Sequence, residues 1–363
     1  KELATEVTLL PINDLKVDAA ILFSDILVIP DAMGLELDFT SNGPKFSNAL
    51  KNTGNNKIKY DPSKLGYVYD NIKTIKNKNN DIPLIGFCGG PLTTFLFMFR
   101  ATENNKSFKD AIKFFYSNRK ESIKILEQIT EASIDYAKNQ VLSGIEVFQL
   151  FETYCGAIPY ELYEELILPF SKKILNSVKE MNCPNIFFPK DFSLGLKSIN
   201  NDICDFVSID WHMSLNNARY LVDKSVGIQG NMDPRILYYD LDKIEKYLQS
   251  CIEFGSNNND WIFLFLTPAI NNDPIRQPAP SAPTKIPKSV GLILRIVSAI
   301  TGTILVVGNA QILQTIVTNR TVLNIWFLIR DLKGLDTLFF SIELGIFFFV
   351  ILKISRVIIN EIK

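Results

Sequence analysis

Polar groups that could do chemistry stand at the ends of short apolar runs: Asp25, Gly89-Gly90, Glu152-Thr153, Lys190-Asp191, Asp210 and Gln229-Gly-Asn-Met-Asp233. A carboxylate fixed at such an end can carry a proton or stabilise a developing cation, and a hydroxyl or ammonium can hold an anion. The choice is narrowed by what is scarce. His212 is the single histidine, so metal and Ser/His/Asp chemistry are poorly supplied. The five cysteines (Cys88, Cys155, Cys183, Cys204, Cys251) are odd in number and never form a C-x-x-C pair. That spacing fits a reducing compartment and argues against a disulfide framework or a zinc knuckle. Lys+Arg 38 against Asp+Glu 39 leaves a net charge of -1, so no basic field exists to hold nucleic acid.

The elements that must position these groups alternate. Short β-rich runs at 19–24, 83–87, 145–151, 185–189, 206–209, 226–229 and 261–266 are separated by amphipathic helical stretches. Ser107-Phe-Lys-Asp110 resembles a capping box, a helix over 121–142 stops before Gly144, and one over 240–254 stops at Gly255. The opening Lys-Glu-Leu-Ala-Thr-Glu-Val reads as the middle of a helix, with no signal peptide and a true start expected upstream. Strand–helix alternation implies a parallel sheet, because a parallel return needs a crossover. No G-x-G-x-x-G or Walker loop follows any strand, which disfavours nucleotide binding. Polar residues gathered at the C-terminal ends of several strands suit the active-site face of a (β/α)8 barrel, for which seven strands are one short.

The composition breaks near residue 266. Residues 270–288 carry Pro274, Pro278, Pro280, Pro283 and Pro287 without an apolar period, the pattern of an extended linker. Beyond it, residues 296–319 lack any charge and 336–352 are apolar apart from Asp336 and Glu343. Both stretches approach the roughly 20 residues of a membrane span. The expected organisation is a barrel over 1–266, a Pro-rich linker over 267–288 and a hydrophobic helical tail over 289–363. The tail reads as two membrane helices, or as a buried helical pair.

The runs Asp18-Ala-Ala-Ile-Leu-Phe-Ser-Asp25 through Gly34, Gly43-Pro44, Pro83-Leu-Ile-Gly-Phe-Cys-Gly-Gly-Pro-Leu-Thr93, Gln149-Leu-Phe-Glu-Thr153 and Gln229-Gly-Asn-Met-Asp-Pro234 together resemble uroporphyrinogen decarboxylase, over residues 1 to about 263. The resemblance implies a (β/α)8 barrel whose first strand lies upstream of residue 1. It implies cofactor-free and metal-free decarboxylation of the four acetate side chains of uroporphyrinogen to give coproporphyrinogen, in a cytoplasmic enzyme that dimerises through its active-site face. Asp25 would face the pyrrole N–H groups and Thr153 would bind a substrate carboxylate. Taken alone, Asp25 reads as a helix cap or turn residue, and Thr153 as a hydroxyl satisfying a strand end.

Three departures bear on activity. The family's Arg-Gln-Ala-Gly-Arg motif does not occur in these 363 residues, and its active-site tyrosine position falls on Phe97. In place of the last-strand Phe-Asn-Leu-Gly-His-Gly, Phe263 is followed by Leu264-Phe-Leu-Thr-Pro-Ala. An alternative reading is therefore an impaired remnant of the barrel fused to a membrane-anchoring tail, or a frameshifted or misjoined product. Zinc-binding methyltransferases share the barrel, but His212 has no His-x-Cys spacing. His212 is expected on a loop or rim, Tyr116 in the core, and Asp210 and Asp233 in structural roles.

Overall fold

A helix over Glu2–Leu15 leads into β1 (Ala20–Ile21), the first of seven parallel strands. Here and below the protein is described from a computed structural model covering residues 2–15, 17–40, 43–50, 58–100, 108–233, 235–236, 239–265 and 305–307. A two-stranded hairpin follows, β2 (Leu37–Thr40) with β3 (Gly43–Phe46), and the parallel sheet resumes with β4 (Leu84–Gly89), β5 (Val147–Glu152), β6 (Asn185–Pro189), β7 (Phe206–Ser208), β8 (Gly227–Gln229) and β9 (Trp261–Phe265). Their order is β1-β4-β5-β6-β7-β8-β9, each parallel to the next, as the strand–helix alternation predicts. The sheet curls into most of a barrel with helices outside.

The longest helix shows how the outer layer is held. Over Arg119–Ser143 the residues Ser122, Ile125, Leu126, Ile129, Ala132, Ser133, Tyr136, Ala137 and Gln140 are all buried, a stripe at three- and four-residue spacing. Each fully buried Ile or Leu is worth about 1.5–3 kcal/mol. Gly144, at φ 115°, ends the helix, its N–H donating to the carbonyls of Gln140 and Val141. Gln140 ties the helix to the sheet: its side chain accepts from Phe87 N at 3.1 Å and donates to Phe87 O at 3.0 Å.

Several expectations need correction. The helix Leu241–Asn257 runs through Gly255, because Ser256, Asn257 and Asn258 side chains donate to the carbonyls of Ile252, Glu253 and Phe254 and supply what a glycine cap would have. The helix Lys109–Ser117 starts at Phe108, in left-handed conformation with no side-chain cap; Ser107 lies outside the described residues. Tyr116 is half exposed, packing on Phe115 and under Arg119 instead of entering the core. Finally, Leu305–Val307 form β10, antiparallel to β9, within a stretch expected to be helical. A Leu-Val-Val run near Gly302 and Gly308 suits a strand, and the edge of β9 offers it unpaired backbone groups. Among the described residues no helix is long and apolar enough to cross a membrane; the linker and the rest of the expected tail helices lie outside them.

Candidate active site

Strand register decides which side chains enter the barrel. Gln149 on β5 donates to Gln229 on β8 at 3.0 Å, although β6 and β7 lie between them, so both must point inward. Alternation and register then carry the inward face around the sheet. Phe87 pairs with Gln149, Ile21 with Ile85, Gln149 with Ile186 and Phe151 with Phe188. Ser24 confirms the phase on the other side, since its hydroxyl lies 3.4 Å from that of Tyr136 on the outer helix. Counting on from Ile21, the inward positions beyond β1 are Phe23 and Asp25; beyond β5 comes Thr153, and beyond β6 Lys190.

The floor of this space is aromatic. Phe87 meets Phe151 edge-on at 5.5 Å, and Phe151 meets Phe188 likewise at 6.0 Å. Edge-to-face packing of this kind adds about 0.5–1.5 kcal/mol per pair beyond area burial and leaves a rigid, apolar surface.

Asp25 follows β1 at the same end of the sheet as Phe151 and Phe188. Its Oδ1 accepts the Leu27 N–H at 2.7 Å, so the carboxylate does turn the chain into the next helical segment, but its Oδ2 is buried with no hydrogen-bond partner. Burial pushes its carboxyl up to about 7, against the Leu27 N–H, which pulls it down. A buried, half-satisfied carboxylate is costly unless a further donor completes it.

Thr153 follows β5 and is half-buried on the same inward face. The strand ends are fixed beneath it: Lys190 N–H donates to Glu152 O at 3.2 Å. Glu152 itself points outward. Its carboxylate accepts the N–H groups of Leu92 at 3.2 Å and Thr93 at 2.6 Å, the Thr93 hydroxyl at 2.5 Å and the Tyr163 hydroxyl at 3.4 Å. It therefore caps the N-terminus of helix Pro91–Met98, and Gly90 is required because a Cβ there would collide with the carboxylate. Burial pushes Glu152 up to about 7, while these donors pull the other way.

Phe97, on that helix, is fully buried, meeting Phe108 at 5.1 Å and Tyr154 at 5.6 Å. It backs the Thr153–Tyr154 corner and offers no hydrogen bond.

The profile of the family described as "Uroporphyrinogen decarboxylase (URO-D)" matches residues 1–265. The chain belongs to the uroporphyrinogen decarboxylase family. A relative so named from Ruthia magnifica subsp. Calyptogena magnifica is 36% identical over 271 residues, spanning 72% of this chain and 78% of that protein. One from Vesicomyosocius okutanii subsp. Calyptogena okutanii is 38% identical over 268 residues, spanning 72% and 77%. Among solved structures a "methyltransferase from Methanosarcina mazei" superposes with TM-score 0.59 at 19% identity, covering 70% of this chain and 77% of that one, a likeness of fold.

His212 is exposed, as expected of a rim residue; its Nδ1 lies 2.9 Å from Asp210 Oδ1 and 3.5 Å from Asp191 Oδ1. Asp210 also accepts the backbone N–H groups of Asp191 at 2.7 Å and His212 at 2.9 Å. It braces the β6 and β7 loops, a structural role as anticipated. These three are the one His/Cys/Asp/Glu group among the described residues close enough to share a cation. Lys190 already neutralises Asp191 at 2.7 Å, and Asp210 is spent on N–H donors. Asp233 is likewise engaged, by Arg235. Sequence reading named Lys190 only as a strand-end residue; period-two counting from Phe188 would have placed it inside the mouth. It also missed Glu152 as a helix cap, because the capped helix belongs to a different strand–helix unit.

Proposed function

We propose that the chain decarboxylates uroporphyrinogen to coproporphyrinogen without a cofactor, as a cytoplasmic homodimer, with Asp25 as the group that stabilises the reacting pyrrole. The observation that carries this reading is the buried, unpartnered Oδ2 of Asp25 at the strand end that also carries the Phe87–Phe151–Phe188 aromatic cluster. The substrate's pyrroles, joined by sp3 methylene bridges, form a flexible macrocycle whose faces can pack on such a floor while its N–H groups converge as donors on one carboxylate.

The chemistry follows from charge. Protonation of a pyrrole carbon makes a ring cation; the bond from the acetate methylene to its carboxylate breaks, its electrons flow into the ring, and CO2 leaves. The exocyclic carbon then takes a proton and the ring carbon loses one, so each acetate consumes one net proton and becomes a methyl group. Asp25, ionised, offsets the cation. A charge pair at 4 Å is worth about 4 kcal/mol at an effective dielectric of 20, roughly a thousandfold in rate when realised in the transition state. Thr153 donates its hydroxyl to a substrate carboxylate, and Phe97 supplies an apolar wall where the family's tyrosine would supply a proton or hydrogen bond. The catalytic unit is residues 1–266, followed by the 267–288 linker and the 289–363 tail, whose contact with a membrane is a separate property.

Anaerobic incubation with uroporphyrinogen, followed by chromatography of the oxidised porphyrins, tests this. The expected product is coproporphyrinogen, formed more slowly than by the Ruthia magnifica relative, because Leu264-Phe-Leu-Thr follows Phe263 where the resemblance implies the last-strand histidine. Absence of any product above a no-enzyme control overturns the assignment.

A further inference from the structure

One inward position below Phe151 on β5, the barrel interior holds polar side chains beside Phe87 and Ile186. Gln149, Ser208 and Gln229 are all fully buried. Gln149 Nε2 donates to Gln229 Oε1 at 3.0 Å, which uses one end of each amide. The other ends, Gln149 Oε1 and Gln229 Nε2, have no hydrogen-bond partner, and neither has the Ser208 hydroxyl. Ser208 and Gln229 are register partners on β7 and β8, so Ser208 shares the inward face. Three unpartnered polar atoms therefore come from three strands that line one interior, and on β5 they lie one inward position below Phe151.

We propose that this layer is a binding site for a single internal water molecule. The complementarity is specific. Gln149 Oε1 accepts, Gln229 Nε2 donates, and the Ser208 hydroxyl does either, which is the set one water satisfies with about three hydrogen bonds, as buried waters typically do. Turning both amides over exchanges the free acceptor and the free donor and leaves the same requirement, so the inference is independent of amide orientation. An anion would find one amide oxygen facing it, and a metal cation would find an N–H donor. A buried polar triad left open would be exceptional, since nearly all such groups in native proteins are paired with protein or water. The bound water ties β5, β7 and β8 together below the strand ends that carry Thr153 and Asp210. This site is independent of the catalytic reading.

The test is crystallography of the full chain at about 1.6 Å together with oxygen-17 magnetic relaxation dispersion in solution. The expected result is a density peak within hydrogen-bond distance of Gln149, Ser208 and Gln229, and a long-lived internal water whose exchange becomes about tenfold faster in Ser208→Ala, a variant mild enough to fold. Side chains of Gln149 and Gln229 turned to other protein partners, no peak between them, or a Ser208→Ala variant with unchanged dispersion overturns it.

Discussion

Asp25 and Glu152 are both carboxylates at the C-terminal ends of inner strands, both out of solvent, and both pushed up to about 7 by burial. They differ in what surrounds their oxygens. Glu152 faces outward and is met by four donors, two of them from a helix N-terminus. Asp25 faces inward, has one donor, and keeps one oxygen unpaired. Burial and a raised pKa alone do not mark a working carboxylate; what sets Asp25 apart is its unpartnered oxygen. Glu152 is satisfied by the fold, and Asp25 is the carboxylate left open for the role proposed above.

The largest test of that division is Asp25→Asn. Turnover should fall about a thousandfold, to background, while the folded fraction by circular dichroism stays level or rises, because a buried charge has been removed. An active Asn variant would make Asp25 a turn residue like any other. Glu152→Gln should show the converse: an amide NH2 placed among N–H and O–H donors costs about 2–3 kcal/mol in denaturant unfolding, with activity per folded molecule largely retained.

The pH dependence separates the two further. Asp25 titrates higher in the folded chain than the ordinary 3.8, so between about 4 and 7 the folded state binds the extra proton. Stability from this group is therefore present at low pH and lost as pH rises through about 7; Glu152 contributes in the same window, so Asp25→Asn should remove one of the two shares of that slope. Turnover needs the ionised form, so kcat/KM should climb about tenfold per pH unit up to about 7 and level off, and Glu152→Gln should keep that limb. Thr153→Val, isosteric but without the hydroxyl, should lower kcat/KM about tenfold with an unchanged unfolding midpoint. Phe97→Tyr should change turnover by less than about twofold, since Phe97 is sealed between Phe108 and Tyr154; recovery of activity there would show that the tyrosine hydroxyl was the main loss.

Much of the sheet is legible in the residues. The run 185–189 is β6 itself, and the other six parallel strands fall inside or within a few residues of their expected runs, because each is a β-branched or aromatic segment closed by turn residues. Asp25 could be picked out through the family resemblance; taken alone it reads as a cap or turn residue, and its Oδ1 does accept the Leu27 N–H. The hairpin over Leu37–Phe46 was missed, since Asp38 and Lys45 interrupt any apolar alternation, and the pairing is fixed by backbone register and Asp38–Ser47. Tyr116 was misplaced because a helix of nine residues carries three aromatics and period alone does not say which face is covered. Gly255 misled because the asparagine and serine side chains that follow it do the capping. The partner sets of Glu152 and Gln149 are contacts across units far apart in sequence, which no local pattern encodes.

The most direct measurement is a titration of the Asp25 carboxyl by carbon-13 NMR in selectively labelled protein, alone and with coproporphyrinogen bound. The account predicts an apparent pKa near 7 in the free protein and a clear fall on binding, as pyrrole N–H groups donate to the open Oδ2. A carboxyl that titrates near 4 when free, or one that the tetrapyrrole leaves unmoved, would contradict it.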